Sequence, residues 1–77
     1  MDGFTPGAVV MATAGKEKGS KFVVVEDFNS RQVLIADGRH RKLARPKRKS
    51  VRHLVLLGRL PEVPARDRLI WKSLSSF

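Results

Sequence analysis

The sequence predicts a mainly all-β fold, a small five-stranded barrel with one short α-helix at its C-terminal end. Two observations predict the barrel: apolar residues occur in short bursts separated by turn residues, and five candidate strands follow one another within about fifty residues. A third observation predicts the helix, because the apolar spacing changes after Pro61 and Pro64 to a helical period.

Apolar runs place four of these strands. Each run is rich in valine, leucine or isoleucine and is bounded by residues that dominate turns. The runs predict strands at 8–12, 22–28, 32–36 and 53–57. Asn29-Ser30 is the expected turn between the second and third strands along the chain, and Gly58 ends the last one.

The remaining strand follows from a turn signal. Asp37-Gly38 indicates a tight hairpin, because glycine tolerates the positive φ of such turns and aspartate can hydrogen-bond its own backbone. The hairpin predicts a basic return strand from residue 39 to residue 43 or 44, with Leu43 as its apolar residue. Pro46 ends that strand, since proline cannot donate to a strand ladder, and 47–50 is expected to be a loop.

The C-terminal residues predict a short helix over 65–74. Its apolar stripe is formed by three residues at i, i+4 and i+7, with Trp71 beside them: Ile70, Leu74 and Phe77. A helix of this length is marginal in water by itself, so the stripe is expected to pack against the barrel, with a membrane surface or a partner protein as the alternative. We therefore expect a barrel over 1–60 and a linker with the packed helix over 61–77.

The charge of the chain is one-sided and concentrated. Lysine and arginine number 16 against 7 acidic residues, which gives a net charge of +9. No acidic residue lies between Asp37 and Glu62, and that window holds nine cations: Arg39, Arg41, Lys42, Arg45, Lys47, Arg48, Lys49, Arg52 and Arg59. A cluster of one sign repels itself unless an anion relieves it, and arginine matches the geometry of phosphate. The pattern predicts a nucleic acid as partner; an anionic membrane surface, an acidic protein and a merely solvated loop are the alternatives.

Secreted and membrane-spanning classes are disfavoured by what the sequence lacks. The chain has no cysteine, so neither a disulfide framework nor a thiolate metal site is expected, and this composition suits a reducing cytoplasm. Its apolar runs are far shorter than a membrane span, and the residues after Met1 have no signal-peptide pattern. We expect a cytoplasmic protein.

Catalytic and metal-binding patterns are also missing from the sequence. Two histidines, His40 and His53, without cysteine or a carboxylate pair do not form a zinc site, so no metal or other cofactor is expected. Of the acids, only Glu26 and Asp27 are neighbours, and adjacent residues on a strand point to opposite faces. We therefore expect a binding protein and not an enzyme.

Two segments carry a family resemblance. The first is Ala14-Gly15-Lys16-Glu17-Lys18-Gly19, preceded by Val9-Val10 and followed by Phe22-Val23-Val24-Val25. It resembles the KOW motif, which several ribosomal proteins and bacterial transcription elongation factors share. The second runs from Val33-Leu34-Ile35-Ala36-Asp37-Gly38-Arg39-His40-Arg41-Lys42 to Arg45-Pro46-Lys47-Arg48-Lys49, with His53-Leu54 after it. It is similar to the large-subunit ribosomal protein family "L fourteen e" and to small bacterial KOW-domain RNA-binding proteins akin to that family.

The resemblance, which covers residues 6–57, implies an SH3-like barrel that binds structured RNA. The implied partner is RNA of the translation apparatus, in particular large-subunit ribosomal RNA, with ribosomal proteins as further neighbours and the ribosome as its location. We expect the free protein to be a monomer that contacts no membrane. Two alternatives stay open: an SH3-like module that binds an acidic protein, and a binder of duplex DNA or of a transcription complex.

The expected contact residues are two glycines of the KOW-like loop and the basic residues around them: Gly15, Lys16, Lys18, Gly19, Arg39, His40, Arg41, Lys42, Arg45, Lys47, Arg48, Lys49 and Arg52. Glycine permits close approach of another chain, and lysine and arginine neutralise phosphates. We expect His40 to donate to a phosphate and His53 to be structural.

The aromatic residues predict how RNA is contacted. Recognition of bases by stacking requires exposed rings. Phe22 lies in an apolar strand, and Trp71 and Phe77 lie in the helix stripe, so all three are expected in the core. Phe28 is expected to cover an end of the barrel, which leaves Phe4 as the loose ring. Without a stacking surface, we expect contacts to the RNA backbone and not to its bases.

Overall fold

A five-stranded antiparallel sheet and one helix account for the regular structure of residues 3–77, the part of the chain that the computed structural model describes. The strands are β1 Ala8–Ala12, β2 Lys21–Asn29, β3 Gln32–Ala36, β4 Lys47–Ser50 and β5 Leu54–Arg59. A 3-10 helix, Val51–His53, joins β4 to β5, and helix α1 spans Asp67–Leu74. The predicted fold class, mainly β with one short C-terminal helix, is confirmed. Met1 and Asp2, where the predicted barrel domain begins, lie outside the described residues.

The strand order places the first strand beside the last. The order across the sheet is β4-β3-β2-β1-β5, so β1 pairs with both β2 and β5. The β1–β5 register shifts between Val9 and Val10, and an irregularity of this kind bends a strand and increases its twist. The resulting curled sheet agrees with a small SH3-like barrel. The loop from β1 to β2, residues 13–20, is called the Gly-Lys loop below.

Both faces of the inner strands are buried. One face holds an apolar cluster that includes Val10 and Phe22, and the opposite face holds a second cluster that includes Val9 and Val23. Alternate residues of a strand point to opposite faces, so a strand that is buried on both sides is apolar at every position. This explains why the apolar runs of β1 and of the first half of β2 are continuous and do not alternate with polar residues.

Helix α1 covers the second cluster. Its Ile70 is fully buried and its Leu74 is 5% exposed, and both pack in the cluster formed by Val9, Val23 and Ala36. Full burial of an aliphatic side chain of this size contributes about 2 kcal/mol. The helix therefore gains its stability from the sheet beneath it. Within residues 3–77, no helix is both long and apolar enough to span a membrane.

The predicted fourth strand is wrong. Residues 37–46 form an irregular segment, called the basic loop below, and the strand begins only at Lys47, in the segment predicted to be a loop. The cause is Asp37, whose Oδ1 accepts hydrogen bonds of 2.8 Å from the backbone N–H groups of Arg39, His40 and Arg41. These bonds curl the chain and prevent a two-residue hairpin. The strand that pairs with β3 begins directly after Pro46, where Lys47 pairs with Ile35.

The expected burial of the aromatic side chains is correct for Phe22 and wrong for Trp71 and Phe77. Phe22 is 1% exposed, whereas Trp71 is 45% and Phe77 is 37% exposed. Ile70 already fills the space beneath α1, and the next helical position lies about 100° around the axis, so Trp71 lies beside the buried face of the helix and not on it. Phe28, expected to cover an end of the barrel, is 49% exposed. Phe4, the expected loose ring, is instead half-buried against the barrel core.

Candidate nucleic-acid interface

Glu17 of the Gly-Lys loop joins three parts of the chain at one surface. Its carboxylate lies 3.1 Å from Arg41 Nε, 2.8 Å from Lys47 Nζ and 3.8 Å from Lys49 Nζ. Arg41 belongs to the basic loop, and the two lysines belong to β4. One acid thus holds the Gly-Lys loop, the basic loop and β4 together.

The alternation of β4 explains which of its cations reach this carboxylate. Lys47 and Lys49 are two residues apart and therefore lie on the same face of the sheet. Their cross-strand partners are Ile35 and Val33, both of which are buried. The two lysines thus extend their aliphatic stems beside the barrel core and place their ammonium groups at its rim. The side chain of Lys49 is only 12% exposed.

The ion pairs of Glu17 shift its ionisation. Burial of the side chain alone would raise its pKa, but hydrogen bonds from Lys47 and Arg41, together with their positive charges, outweigh burial. The pKa of Glu17 is therefore held below its usual value of 4.5. Between the two pKa values the unfolded chain binds more protons than the folded one, so this contribution to stability rises with pH.

We expect Glu17→Gln to reduce the acid sensitivity of the fold. The contribution of Glu17 is complete above its unfolded pKa of 4.5 and is lost as the pH falls through the lower folded pKa. Thermal unfolding followed by circular dichroism from about pH 6 to about pH 3 should show a smaller fall in Tm for the variant than for the wild type. Identical falls in the two proteins would contradict this assignment.

Four predicted cations point into solvent around this cluster: Lys16, Lys18, Lys42 and Arg45. Two belong to the Gly-Lys loop and two to the basic loop. Among residues 3–77, the ion pairs between side chains are those of Glu17 with Arg41, Lys47 and Lys49. None of the four exposed cations therefore pairs with a side-chain carboxylate of these residues. A phosphate can therefore bind them without displacing a carboxylate of this part of the chain.

Two further predicted cations lie over aromatic rings. The guanidinium carbon of Arg39 is 5.0 Å from the centroid of the Trp71 ring, and that of Arg48 is 4.9 Å from the centroid of Phe28. Arg48 lies between Lys47 and Lys49 in β4 and points to the opposite face, which separates it from the Glu17 cluster. Both arginines are exposed and keep donors free for an anion.

The remaining predicted residues lie in the loops or in the 3-10 helix. Gly15 lies next to the Lys49 ammonium group, and Gly19 faces open space, with no atom within 4 Å of the position of a Cβ. His40 is exposed in the basic loop. Arg52 is exposed in the 3-10 helix, with its Nε 3.5 Å from Nε2 of His53.

Helix α1 fixes the position of the basic loop. Oδ1 of Asp67, at the start of the helix, accepts a hydrogen bond of 2.7 Å from the backbone N–H of Leu43. Gly38 packs directly on the backbone of the same helical turn, and Arg39 lies over Trp71. The C-terminal helix is therefore part of the scaffold of the cationic surface.

The acids that organise this surface were missed by sequence reasoning, which considered only its cations. Glu17 was visible as an acid between two lysines, a pattern that could have indicated an internal ion pair. Asp67 gave no such signal, because its partner Leu43 is 24 residues away. The sequence matches no protein-family model, and no curated protein matches it significantly.

Proposed function

We propose that this chain is an RNA-binding protein of the translation apparatus that docks the Gly-Lys loop and the basic loop onto the phosphate backbone of structured RNA. Large-subunit ribosomal RNA is the target that the family resemblance favours. The binding surface combines the exposed cations of the two loops with the cluster at Glu17. Its place of action is the cytoplasm, on the ribosome or on an assembly intermediate.

The observation that supports this proposal most is that Glu17 joins the Gly-Lys loop to the basic loop and to β4. One carboxylate faces three cations, which leaves an excess of two positive charges at the centre of the surface. The four exposed cations of the loops add to this excess. Charges of one sign held close together raise the energy of the fold unless an anion binds, and a phosphate backbone supplies several anions in sequence.

The distribution of apolar residues favours a polyanion over an acidic protein. None of the large exposed apolar side chains of residues 3–77 lies in the Gly-Lys loop or in the basic loop. Protein–protein interfaces are centred on well-packed apolar or aromatic residues, whereas phosphate recognition needs mainly lysine, arginine and backbone N–H groups. The composition of the two loops is therefore the one that phosphate recognition needs.

Binding of a duplex RNA should weaken steeply with salt. If about six cations reach phosphates together, the slope of log affinity against log salt concentration is about −5. Lys18→Ala removes one phosphate contact, and we expect it to make the slope shallower by about 1. Fluorescence anisotropy with a labelled RNA duplex at a series of salt concentrations measures both quantities.

Arg31→Ala is the matched control for this measurement. Arg31 is exposed in the turn between β2 and β3, at the end of these strands that lies away from both loops. Arg31→Ala removes one positive charge, as Lys18→Ala does, but should leave the salt slope unchanged. A wild-type slope shallower than about −2, or equal changes in both variants, would contradict the proposed surface.

The RNA target is tested by crosslinking in cells. Crosslinking the protein to RNA and sequencing the attached fragments should give an enrichment of large-subunit ribosomal RNA. The complex should sediment with that subunit at low salt and dissociate at high salt. Co-purification that survives nuclease treatment would favour an acidic protein partner, and stronger competition by duplex DNA than by structured RNA would favour a DNA partner.

A further inference from the structure

A cavity opens where the Gly-Lys loop, the basic loop and helix α1 meet. Its volume is about 380 Å³, within the range of pockets that take small molecules. Its lining includes Lys21 at the start of β2, His40 of the basic loop, and Trp71 and Leu74 of the helix. The cavity therefore adjoins both loops of the proposed phosphate-binding surface.

The cavity exposes the one tryptophan of the chain. Trp71 keeps 45% of its surface exposed, although the helix that carries it is anchored by the buried Ile70. The guanidinium of Arg39 lies 5.0 Å from the centroid of its ring and restricts the orientation of the indole. RNA bases stack on aromatic rings and on the planes of arginine side chains, and Trp71 and Arg39 supply one of each at this cavity.

The surroundings of the cavity are positively charged. Lys21 lines the cavity and donates a hydrogen bond to the backbone oxygen of Phe77, and the exposed Lys18 adjoins the lining residue Gly19. The acid in the lining is Asp37, whose Oδ1 already accepts three backbone N–H groups. A flat aromatic group attached to phosphates complements an aromatic wall beside such cations.

We infer that this cavity holds one unpaired base of the bound RNA, stacked on Trp71, while its neighbouring phosphates lie on Arg39 and on the lysines of the Gly-Lys loop. The inference rests on the proposed function and adds base stacking to backbone recognition. The wild-type protein consequently prefers RNA that presents an unpaired nucleotide over a blunt duplex of the same length. His40, at the wall of the cavity, offers ring nitrogens to the edge of that base.

The test compares two RNA probes, oligouridylate and a blunt RNA duplex of the same strand length. Stacking of a base on an aromatic ring is strong enough that its loss weakens binding by about tenfold. We expect Trp71→Ala to lose this factor for oligouridylate and to weaken duplex binding much less, since the duplex loses only the packing of Arg39 on the ring. The salt slope should stay unchanged, because Arg39 keeps its charge. In the wild type, oligouridylate should quench the tryptophan fluorescence and the duplex should not.

Two further variants separate stacking from a general effect on the helix. Trp71→Phe keeps an aromatic face and should retain most of the affinity for oligouridylate. Leu69→Ala alters a similarly exposed apolar residue of the same helix outside the cavity lining and should bind both probes like the wild type. Wild-type binding of oligouridylate by Trp71→Ala, or equal weakening of both probes, overturns this inference while the proposed function stands. Failure of the wild type to bind either probe overturns both.

Discussion

Gly38→Ala should destabilise the fold by about 3 to 4 kcal/mol and lower Tm by more than about 10 °C. A Cβ at this position would lie 2.0 Å from the backbone oxygen of Asp67 and 3.0 Å from the backbone nitrogen of Trp71. Backbone atoms of a helix cannot rotate away as a side chain can, so the helix or the basic loop has to move. The φ of Gly38 is +81°, which adds about 1 kcal/mol of strain for a residue with a Cβ.

The matched control is Gly19→Ala. Gly19 has a similar φ of +88°, but its Cβ would meet no atom within 4 Å. Only the backbone strain applies there, and we expect a loss of about 1 kcal/mol. Thermal and urea unfolding of the two variants beside the wild type measure the difference. Equal destabilisation of both would show that α1 does not lie against the basic loop.

Displacement of α1 by the added methyl group also affects binding. The helix holds the basic loop through Asp67 and carries the exposed Trp71. We therefore expect Gly38→Ala to bind both RNA probes more weakly even at a temperature where it remains folded. Gly19→Ala, in contrast, should keep the arrangement of the helix and the basic loop.

The strands that the sequence predicts correctly are those whose core position dictates their composition. This holds for β1, β3 and the first half of β2, which the barrel interior or the helix covers and which therefore leave a pattern in the sequence. β5 is the exception, because its apolar run predicts the strand although Val55, Leu56 and Leu57 are each at least 40% exposed. β4 leaves no such pattern, since its residues are Lys47, Arg48, Lys49 and Ser50. It is a strand because its backbone pairs with that of β3. The aliphatic stems of its lysines cover the margin of the core, so the strand needs no apolar residue there.

The candidate site is predictable in composition but not in arrangement. A charge count finds the cations of the two loops, because net charge depends on sequence alone. It cannot find that Arg41, Lys47 and Lys49 meet at Glu17, since this requires the closure of the barrel. A helical period indicates that one face of α1 is buried, but the width of that face decides whether a neighbouring residue is covered. Ile70 and Leu74 fill the buried face of the helix, so Trp71 is not covered and lines the cavity instead.

Asp37→Ala should cost about 3 kcal/mol of folding free energy and release the basic loop. One oxygen of the buried Asp37 carboxylate accepts the backbone N–H groups of Arg39, His40 and Arg41, each at 2.8 Å. Hydrogen bonds to a charged group contribute about 1.5 to 3 kcal/mol each, and bonds that share one acceptor add up to less than their sum. Hydrogen exchange should accelerate at these three amides before it does so in β1 and β2.

Asp37→Asn separates the charge of this group from its shape. The amide side chain retains an oxygen that can accept the same N–H groups, but a neutral acceptor is roughly half as strong as a charged one. We expect the asparagine variant to lose about 1 kcal/mol, to protect the three amides more than the alanine variant does, and to keep the salt slope of RNA binding. Equal Tm values for the two variants would show that the carboxylate does not organise the loop. A lower Tm for the alanine variant would instead show that the oxygen of this buried side chain holds the backbone of the basic loop, and with it Arg39 and Arg41, in place.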